Sequence, residues 1–536
     1  MSGLATLANT AWFAVNARGY RQFRRALRNV RTTQSSILMG YLQSNSQTDF
    51  GRRWGFSKLR SAEQYRDQVP LSTYEDYVDS IKRIAAGEEK VLTHEPIRLF
   101  ELSSGSTQAS KWIPYTAGLQ AEMRRAVAPW VFDLAKHQPT ILRGSAYWSI
   151  SPALRVEGAE ASRVPVGFDT DSAYLGGLFK HLVDATLAVP AHVAHIKDID
   201  QFRRATLLYL LRATDLRLIS VWHPSFLTLL WSFLEENWGT LLDDLRHGIQ
   251  LLKNGVQIAA APRRAHELSH LGSVAPNTIW PHLQLISCWG DGHASMALSE
   301  LSQQFPGCQV QAKGLIATEG FVSLPFSGEW PLAVNSHYFE FLDTSGTTHF
   351  SWELSQGKQY SVILTTAGGL YRYQLQDVIE VTGFLEEAPC IRFLHKENHI
   401  SDLCGEKLNE SFVASVVLEV LQSAHLSPAF VILAARHDHS QTQYVLYLEI
   451  ESTSTFDFEC MSSDLEKGLR RNPHYKYCVD LHQLRPAAIA LTAPGAFERY
   501  SNRMRHNGQK LGDIKPMVLS NLTDWDRWLC DQVHSA

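Results

Sequence analysis

Between residues 140 and 316, short apolar runs alternate with longer segments of helical periodicity, and this alternation restricts the possible folds most strongly. The candidate elements are, in order, strand 140–152, helices 180–195 and 201–214, strand 216–221, helix 226–236, strand 283–289, helix 294–305 and strand 310–316. Helices of about ten or more residues between strands are typical of βαβ crossovers, which connect parallel strands. The sequence therefore predicts an α/β fold with a largely parallel sheet.

The parts on either side of this region have different patterns. Residues 1–100 are predicted to be mostly helical, with helix starts near Ser72 and Ser80. Residues 337–382 contain consecutive candidate strands, and the Gly368-Gly369 pair between two of them is a hairpin signal. We therefore expect mixed sheets with flanking helices in a large N-terminal domain.

A new α+β pattern begins after Lys396, with candidate helices at 408–424 and 458–470 and candidate strands at 429–435, 444–451 and 481–491. Its length is usual for a domain. We therefore predict a large domain at 1–400 and a smaller one at 401–536, joined by a polar hinge. A surface loop within a single domain is the alternative interpretation.

Composition excludes several classes of protein. With 45% hydrophobic and 19% charged residues, the 536-residue chain is typical of globular proteins, and 50 basic against 54 acidic residues give no bias towards nucleic acid. No apolar run approaches the roughly 20 residues of a membrane span. The seven cysteines show no zinc-binding spacing, so we expect thiols in a reducing compartment and a cytoplasmic location.

The N-terminal 48 residues contain no acidic residue, whereas six arginines lie between Arg18 and Arg31. Such a composition is typical of an organellar presequence. An amphipathic first helix is the favoured interpretation, because the apolar periodicity continues without a break towards Leu42. In that helix the inward-facing residues would be Trp12, Phe13, Phe23 and Leu27.

The segment 102–116, LSSGSTQASKWIPYT, concentrates small and hydroxylated residues: Ser103, Ser104, Ser106 and Thr107. A candidate strand precedes it and a candidate helix follows it. Backbone N–H groups and hydroxyls that converge in such a loop bind anions, so the pattern outlines a phosphate-binding loop. It is not of the Walker type, because no G-x-x-x-x-G-K-[ST] occurs. An ordinary polar turn is the alternative.

Four further clusters follow this loop. The first, at 312–320, ends in Thr318-Glu319-Gly320 at the predicted end of a strand, and a carboxylate with a hydroxyl suits a Mg²⁺ ion that also holds phosphate oxygens. The second, at 371–377, ends in Asp377, which could accept hydrogen bonds from ribose hydroxyls. The third and fourth are Gly405-Glu406-Lys407 and the segment 508–516. Each is weak alone, and their order along the chain is the informative fact.

That order resembles the adenylate-forming superfamily and, more closely, the Gretchen Hagen acyl-acid amido synthetase family, known from auxin-responsive plant genes and from bacterial relatives. The matching stretches are RDQVPLSTYEDY (66–77), the 102–116 segment, SVWHPSFLTLLWSFLEENW (220–238), GLIATEG (314–320), YRYQLQDVIEVTGF (371–384) and GEKLNE (405–410). YWSISP and ISCWGDGHA resemble the bacterial-type members. One departure is Gln108-Ala109, where the family commonly has Thr-Gly.

The resemblance implies a monomeric ligase with a large adenylate-forming domain and a small mobile C-terminal lid. Such an enzyme uses ATP and Mg²⁺ to convert a carboxylic acid into an acyl-adenylate, and then transfers the acyl group to an amine, usually an amino acid. The roles it implies are as follows: phosphate and nucleotide binding for Ser103, Ser104, Ser106, Thr107 and Thr318, Mg²⁺ for Glu319, ribose for Asp377, catalysis for Lys407 and Lys515, and the acyl pocket for Trp222, Phe226 and Leu230.

Two alternatives stay open at this stage. An acid–thiol ligase of the acyl-coenzyme A synthetase type shares the first step, and the five clusters do not separate it from an amide-forming enzyme. A nucleotide-binding module without catalysis is the other, although Glu319 and both late lysines are present. The aromatic residues of the proposed acyl pocket could equally be core residues. A serine hydrolase is excluded, because no G-x-S-x-G occurs.

Overall fold

A computed structural model of the chain describes residues 2–103, 111–149, 162–167, 177–196, 198–251, 256–291, 294–397, 400–438, 441–450, 457–507, 509 and 514–530. The chain divides into two compact units. The large unit is Met1–Leu375 with Ile379–Phe393, and the small unit is Gln376–Val378 with Leu394–Ala536. Within the described ranges, no helix is long and apolar enough to cross a membrane and no disulfide joins two cysteines.

The large unit is rich in helix from its beginning, which confirms the prediction for the first hundred residues. Its described helices are α1 (Ser2–Leu27), α2 (Val30–Ser44), α3 (Asp49–Arg53), α4 (Ala62–Gln68), α5 (Val78–Ala85), α6 (Ala117–His137), α7 (Gly177–Asp184), α8 (Ile199–Arg212), α9 (Pro224–Glu236), α10 (Trp238–His247), α11 (Pro262–Ser269), α12 (Pro276–Ile279) and α13 (Ala294–Gln304).

Strands β1 to β13 lie between and after these helices. They are β1 (Leu99–Ser103), β2 (Lys111–Tyr115), β3 (Ser145–Trp148), β4 (Leu216–Ser220), β5 (Ile249–Leu251), β6 (Val256–Ile258), β7 (Leu285–Cys288), β8 (Gln309–Ala312), β9 (Tyr338–Leu342), β10 (Thr348–Phe350), β11 (Gln359–Thr365), β12 (Tyr373–Leu385) and β13 (Ala388–Lys396).

The predicted parallel sheet is confirmed. Its four strands have the order β3-β4-β7-β8, and each neighbouring pair is parallel. Helices connect successive strands, so the carboxyl ends of all four strands meet at one edge. The side chains of α8, α9 and α13 bury one apolar core with this sheet, including Leu208, Leu230 and Leu301. Ligands of α/β proteins bind at this kind of edge.

The second large sheet has the order β10-β9-β11-β12-β13. Strand β9 pairs antiparallel with both β10 and β11. The sequence places candidate strands at 370–373 and 378–382. In the structure the second lies within the single long strand β12, whereas only Tyr373 of the first belongs to that strand. The predicted turn at Gly368-Gly369 lies in the connection from β11 to β12, where the Thr366 N–H donates to the Leu370 carbonyl at 2.9 Å.

The acid-free N-terminus forms the amphipathic helix that its periodicity predicts. In α1, Trp12, Phe23 and Leu27 are buried, and Phe13 stacks on Phe132 of α6 with ring centroids 4.3 Å apart. The arginines of the same helix lie at exposed positions. The helix is therefore held by its apolar stripe against α6.

Two of the matched stretches, 66–77 and 371–384, meet in the large unit. Ser72 forms a parallel bridge with Tyr373, through backbone hydrogen bonds of 3.0 and 2.8 Å. The Arg372 guanidinium donates to the Glu340 carboxylate at 3.0 Å and to the carbonyl of Val69 at 2.7 Å. Both charged side chains are almost fully buried. The pair therefore ties the segment after α4 to strand β9 and to the start of β12.

The small unit is a mixed sheet between two helical layers. Its described elements are β14 (Ile400–Ser401), β15 (Leu408–Asn409), α14 (Glu410–Ser423), β16 (Phe430–Asp438), β17 (Gln441–Glu449), α15 (Phe458–Leu469), α16 (Pro473–Asp480), β18 (Leu484–Leu491), α17 (Ala496–His506), β19 (Leu519–Ser520) and α18 (Asp526–Leu529). The sheet order is β18-β17-β16-β19, with β16 and β17 antiparallel and the outer pairs parallel. This confirms the predicted α+β character.

Both faces of the small sheet are buried, and the alternation of its side chains shows it. Leu433 and Leu446 face the core shared with α14 and α15, whereas Ile432 and Val445 face the core shared with α17. Successive side chains of a strand point to opposite faces, so a continuous apolar run is needed where helices cover both faces.

Two predicted elements differ from the structure, and one helix of the structure was not predicted. The predicted strand 140–152 begins as a 3₁₀ turn at Pro139–Arg143, and only Ser145–Trp148 is strand among its described residues. The predicted helix 180–195 ends at Asp184 in the structure. Helix α16 was not predicted, because its core contacts are confined to Tyr475, Cys478 and Val479. Short elements have too few periodic positions to be recognised.

We expect Arg372→Ala to destabilise the large unit by about 3–5 kcal/mol, because it leaves the Glu340 carboxylate buried without its cation. Arg392→Ala is the matched control, since it removes an exposed ion pair with Glu380 at 2.6 Å and should cost about 1 kcal/mol or less. Equilibrium unfolding in guanidinium chloride measures both. Equal losses for the two variants would contradict a structural role for the buried pair.

Candidate active site

The small, hydroxylated segment connects two antiparallel strands. In the pairing of β1 with β2, Ser103 lies opposite Lys111. Helix α6 begins at Ala117, directly after the segment 102–116, which confirms the predicted helix, but strand β2 within the segment was not predicted. Strand formation satisfies the backbone of 111–115 while Ile113 is buried in the core. Residues 104–110, which include Ser104, Ser106 and Thr107, and the side chain of Ser103 lie outside the described residues.

Residues 316–321 form a tight hairpin shortly after β8, with Thr318 and Glu319 at its tip. The two residues that flank the tip exchange backbone hydrogen bonds of 3.0 and 3.2 Å. The Tyr115 hydroxyl, at the end of β2, donates to the Thr318 carbonyl at 2.5 Å. The backbone that carries the Glu319 carboxylate is therefore fixed from two sides.

The Glu319 carboxylate lies next to a tyrosine whose hydroxyl also contacts a lysine. It is 7% exposed, and its Oε1 accepts a hydrogen bond from the Tyr373 hydroxyl at 3.4 Å. The Lys111 Nζ lies 3.5 Å from the same hydroxyl. Burial, and then the neighbouring Glu319 charge, raise the pKa of Tyr373 well above its usual value, so the phenol keeps its proton and donates.

The second carboxylate oxygen of Glu319, Oε2, makes no hydrogen bond to any residue in the described ranges. An oxygen ligand with a free lone pair is what a hard cation such as Mg²⁺ requires, and Mg²⁺ usually takes only one or two protein carboxylates beside phosphate oxygens and water. Lys111 lies next to the 104–110 segment and adds a positive charge. The residues therefore fit a cation that is shared with a phosphate.

A second group lies at the carboxyl edge of the parallel sheet. Trp222 follows β4 and Trp289 follows β7, and their ring centroids are 5.4 Å apart. The backbone N–H of Trp289 donates to the Trp222 carbonyl at 2.7 Å. Lys313, which follows β8, is 7% exposed. Its Nζ donates to the Ser220 hydroxyl at 2.6 Å and lies 5.5 Å from the centre of the Trp222 ring.

The other two residues of the predicted acyl pocket lie on α9. Phe226 is partly buried and packs against the core of the parallel sheet. Leu230, one turn further along, is 2% exposed and belongs to that core. The helix begins next to the Trp222 edge, at His223, whose side chain accepts from the Ser225 N–H at 3.2 Å. Trp222 and Phe226 are therefore the more accessible members of the predicted set.

Asp377, the predicted ribose ligand, is buried in β12 and pairs with Lys396. Its Oδ1 lies 2.9 Å from the lysine Nζ, and the aspartate side chain is 4% exposed against 41% for the lysine. The Gln376 carbonyl next to it accepts the Glu397 N–H at 2.8 Å. A hydroxyl-bearing ligand at Asp377 would meet a carboxylate that already has a partly exposed cationic partner.

Lys407 follows a loop that a buried carboxylate organises. Glu406 is fully buried and accepts hydrogen bonds from the Leu403 and Cys404 N–H groups at 2.8 Å each. Burial alone would raise the pKa of Glu406, but hydrogen bonds from Tyr444 and from these N–H groups outweigh burial and lower it. Lys407 itself has a φ of 44°, an uncommon backbone conformation for a residue with a side chain.

The same carboxylate lies near two thiols. The thiols of Cys404 and Cys478 and the Glu406 carboxylate have atoms within 4.8 Å of one another. The Cys404 thiol donates to Glu406 Oε2 at 3.3 Å. Because the oxygens of Glu406 already accept hydrogen bonds from the backbone, from Tyr444 and from this thiol, the carboxylate acts as the acceptor that shapes the loop.

Lys515, the second predicted catalytic lysine, is exposed and follows a segment, 510–513, that lies outside the described residues. Its carbonyl accepts the Tyr500 hydroxyl at 2.7 Å, and Tyr500 is fully buried. The backbone of Lys515 is therefore anchored to α17 while its side chain is at the surface of the small unit.

Three family models match the chain in succession: the GH3 family N-terminal domain at residues 19–310, the central domain at 330–396 and the C-terminal domain at 412–524. The first alone spans more than half of the chain. The chain belongs to the GH3 family. This confirms the resemblance on which the site assignments depend.

Relatives of this GH3 chain include named amido synthetases and a jasmonoyl-L-amino acid synthetase. A probable indole-3-acetic acid-amido synthetase GH3.4 from Oryza sativa subsp. japonica is 25% identical, over 95% of this chain and 89% of its own length. The jasmonoyl-L-amino acid synthetase JAR6 from Nicotiana attenuata is 24% identical, over 70% of this chain and 71% of its own. The solved structure of the AtGH3.15 acyl acid amido synthetase in complex with 2,4-DB has the same fold, with a TM-score of 0.83, 19% identity and 96% coverage of each chain.

The structure adds residues to the site of this GH3 chain that sequence reasoning missed. Tyr373 and Tyr115 contact the hairpin tip, and Lys313 lies beside Trp222. Tyr373 and Lys313 fall within or next to stretches that carry the family resemblance, which is a usable signal. Tyr115 also lies in a matching stretch, 102–116, but an aromatic residue at a buried strand position is expected from packing as well, so its contact with the hairpin could not be read from the sequence.

Proposed function

We propose that this GH3 chain is an ATP-dependent acyl-acid amido synthetase of the cytoplasm. A carboxylate oxygen of the acid attacks the α-phosphorus of ATP, and the bond to pyrophosphate breaks. An amine, in our proposal that of an amino acid, then attacks the acyl carbon, and the C–O bond to AMP breaks. The products are the amide, AMP and pyrophosphate, and the amine nitrogen loses a proton.

The observation that carries this proposal is the match of three GH3 family models, at residues 19–310, 330–396 and 412–524. Glu319 lies between the first two matched ranges, in the stretch 314–320 that resembles the family in sequence. The two relatives whose alignments cover 95% and 70% of this chain are named as synthetases of this type. The geometry around Glu319 supports the chemistry, since one of its oxygens has no partner among the described residues.

The first step needs positive charge, because a carboxylate and a triphosphate repel each other. In our proposal, Ser103, Ser104, Ser106 and Thr107 donate to the phosphates, with Thr318. Lys111 contributes charge from the end of the same loop; its Nζ lies 5.7 Å from the centre of the Tyr74 ring, which holds it in place. Oriented donors of this kind act where negative charge develops and need no reorganisation during the reaction.

Glu319 is the proposed carboxylate ligand of Mg²⁺. The ion would neutralise phosphate oxygens and bridge them to the protein. The part of this chain is to hold the carboxylate in position: the hairpin tip fixes its backbone, and the Tyr373 hydroxyl orients Oε1.

The ribose is proposed to bind at Asp377. A carboxylate can accept hydrogen bonds from two adjacent hydroxyls. The Lys396 side chain, which pairs with Asp377 at 2.9 Å, is 41% exposed and can turn towards solvent at little cost. The ion pair keeps the buried carboxylate satisfied when no nucleotide is bound.

The acyl group is proposed to bind at the edge of the parallel sheet, against Trp222, Phe226 and Leu230. Two tryptophan rings 5.4 Å apart supply a broad apolar surface. Lys313 adds a cation at 5.5 Å from the Trp222 ring. This combination favours an acid with an aromatic or extended apolar body.

Residues 401–536 are proposed to form a mobile lid, with Lys407 and Lys515 as the catalytic residues that it delivers to the phosphate. The two half-reactions need different partners, which a moving domain can supply in turn. The exposed side chain of Lys515 and the preorganised loop before Lys407 support these roles.

The function is tested by acid-dependent exchange of labelled pyrophosphate into ATP, screened over aromatic, indole-type and aliphatic carboxylic acids. Acids that support exchange are then incubated with an amino acid mixture, and amides are sought by mass spectrometry. We expect exchange with at least one apolar acid and a matching amide. Exchange followed only by thioester formation with coenzyme A would contradict the proposed product.

We expect Glu319→Gln to reduce pyrophosphate exchange by about a hundredfold or more while the fold stays intact, because it removes a charge but keeps the shape. Exchange is measured as a function of Mg²⁺ concentration, and circular dichroism checks the fold. Glu329→Gln, at an exposed position in the same connecting segment, is the control and should be unaffected. Wild-type exchange by Glu319→Gln at limiting Mg²⁺ would exclude the assignment.

Asp377→Ala should weaken the binding of ATP more than that of the acid, since each charge-assisted hydrogen bond contributes roughly 1.5–3 kcal/mol. Titration with ATP and with 2′,3′-dideoxy-ATP measures how far the protein distinguishes the ribose hydroxyls. Lys396→Ala keeps the carboxylate and should keep this discrimination. If Asp377→Ala still discriminates as wild type does, Asp377 does not bind the ribose.

Lys515→Ala should impair adenylation but leave the conversion of a supplied acyl-adenylate into amide nearly unchanged, because a lysine on a phosphate oxygen acts where negative charge develops. Each half-reaction is measured separately, with synthetic acyl-adenylate for the second. Lys407→Ala should also slow adenylation. Lys476→Ala, another exposed lysine of the small unit, is the control. Equal losses in both half-reactions for Lys515→Ala would mean that its role is structural.

A further inference from the structure

A buried carboxylate on α6 connects segments that are distant in sequence. Glu122 is 1% exposed and accepts hydrogen bonds from the Tyr41 hydroxyl, from His337 Nδ1 at 2.9 Å and from the Ala367 N–H at 3.1 Å. The Arg125 guanidinium lies 3.7 Å from the Glu122 carboxylate. Burial, and then the Glu122 charge, raise the pKa of Tyr41 well above its usual value, so Tyr41 is a donor in this cluster.

His337 connects this cluster to the hairpin that carries Glu319. The ring is completely buried, its Nδ1 faces the Glu122 carboxylate, and its Nε2 lies 3.0 Å from the Phe321 backbone nitrogen. A backbone N–H only donates, so Nε2 is the acceptor and Nδ1 carries the proton that Glu122 accepts. This arrangement uses both nitrogens of one tautomer and selects it.

Phe321 is two residues after Glu319 and belongs to the stem of the hairpin, where it pairs with Ile316. The histidine also packs closely under the tip: a methyl group on Gly320 would lie 3.1 Å from His337 Nε2. The stem is therefore held by a hydrogen bond and by packing against the same imidazole ring. Displacement of the ring would displace the tip.

Glu122 also fixes the turn before Tyr373, the tyrosine that donates a hydrogen bond to Glu319. The Ala367 N–H that it accepts lies in the turn before Tyr373, and the Ala367 carbonyl accepts the Thr116 hydroxyl at 3.1 Å at the start of α6. The Glu122 carboxylate is therefore connected both to the hairpin that carries Glu319, through His337, and to the turn before Tyr373, through Ala367.

We propose that His337 and Glu122 are positioning residues that fix the Thr318–Glu319 tip for the adenylation step. The proposal rests on the proposed function. Neither residue contacts the reacting groups in this account. Outer hydrogen-bond partners of a ligand commonly change metal affinity or activity by about 10- to 100-fold when they are removed, because they orient the ligand.

Two substitutions separate the two hydrogen bonds of the imidazole ring. In His337→Gln the amide oxygen can occupy the position of Nε2 and accept the Phe321 N–H. In His337→Asn the amide reaches only the position of Nδ1, so the variant can keep the bond to Glu122 but loses the acceptor for Phe321. His349→Asn, which alters a histidine–aspartate pair of 2.8 Å between His349 and Asp343, is the matched control.

The first measurement is hydrogen–deuterium exchange, followed by mass spectrometry of peptides that contain residues 316–321. We expect faster exchange at this hairpin in His337→Asn than in His337→Gln or in wild type. This readout does not depend on the reaction. Equal protection in the two His337 variants would overturn the proposal even if the enzyme is an amido synthetase.

The second measurement is pyrophosphate exchange with varied Mg²⁺ and acid. His337→Asn should lower the maximal rate about tenfold or more and raise the Mg²⁺ concentration at half-maximal rate, with little change in the KM for the acid. His337→Gln should restore most of the rate, and His349→Asn should match wild type. If both His337 variants lose exchange activity in proportion to the decrease in their melting temperature, the positioning role is overturned. No exchange by wild type with any acid would instead refute the proposed function.

Discussion

The Glu122 carboxylate needs hydrogen-bond donors because it has no access to water, and the donors that it finds come from three separate parts of the large unit. Tyr41 on α2, His337 before β9 and Ala367 after β11 all converge on it. An unpaired carboxylate in this position would cost several kcal/mol. Satisfying it forces these elements into one arrangement, and the hairpin with Glu319 and the turn before Tyr373 both depend on that arrangement.

The chemistry that we propose sets a second requirement, since an acid and a triphosphate must approach each other against their repulsion. The large unit supplies a cation at two places: Lys111 near the hairpin tip and Lys313 at the edge of the parallel sheet. Both lie near aromatic rings, which stabilise a partly dehydrated ammonium group. The negative Glu319 and the positive lysines thus occupy fixed positions before any substrate binds, which is the condition for electrostatic stabilisation of a transition state.

Much of the fold was predictable, because the apolar periodicity of long helices and the strand–helix alternation of 140–316 are local properties of the sequence. Candidate site residues could be named from the sequence only where a compact motif contains them, as in Thr318-Glu319. Strand β2, which pairs antiparallel with β1, was not predicted, because its sequence KWIPY has no strong strand signal of its own. The bond between Glu122 and His337 joins residues 215 positions apart, and no spacing in the sequence reveals such a pair. The ion pair of Asp377 with Lys396 was missed for the same reason, because it depends on how two strands are placed in space.

The central claim, that the acid is activated by attack of its own oxygen on the α-phosphorus, has a direct test. The acid is labelled with ¹⁸O in its carboxylate and converted to amide with ATP and an amino acid. Mass spectrometry then locates the label. Our account predicts one ¹⁸O atom in the phosphate group of AMP for each amide formed, because the C–O bond breaks when the amine attacks. Label in inorganic phosphate, with ADP as the nucleotide product, or AMP without label would contradict it.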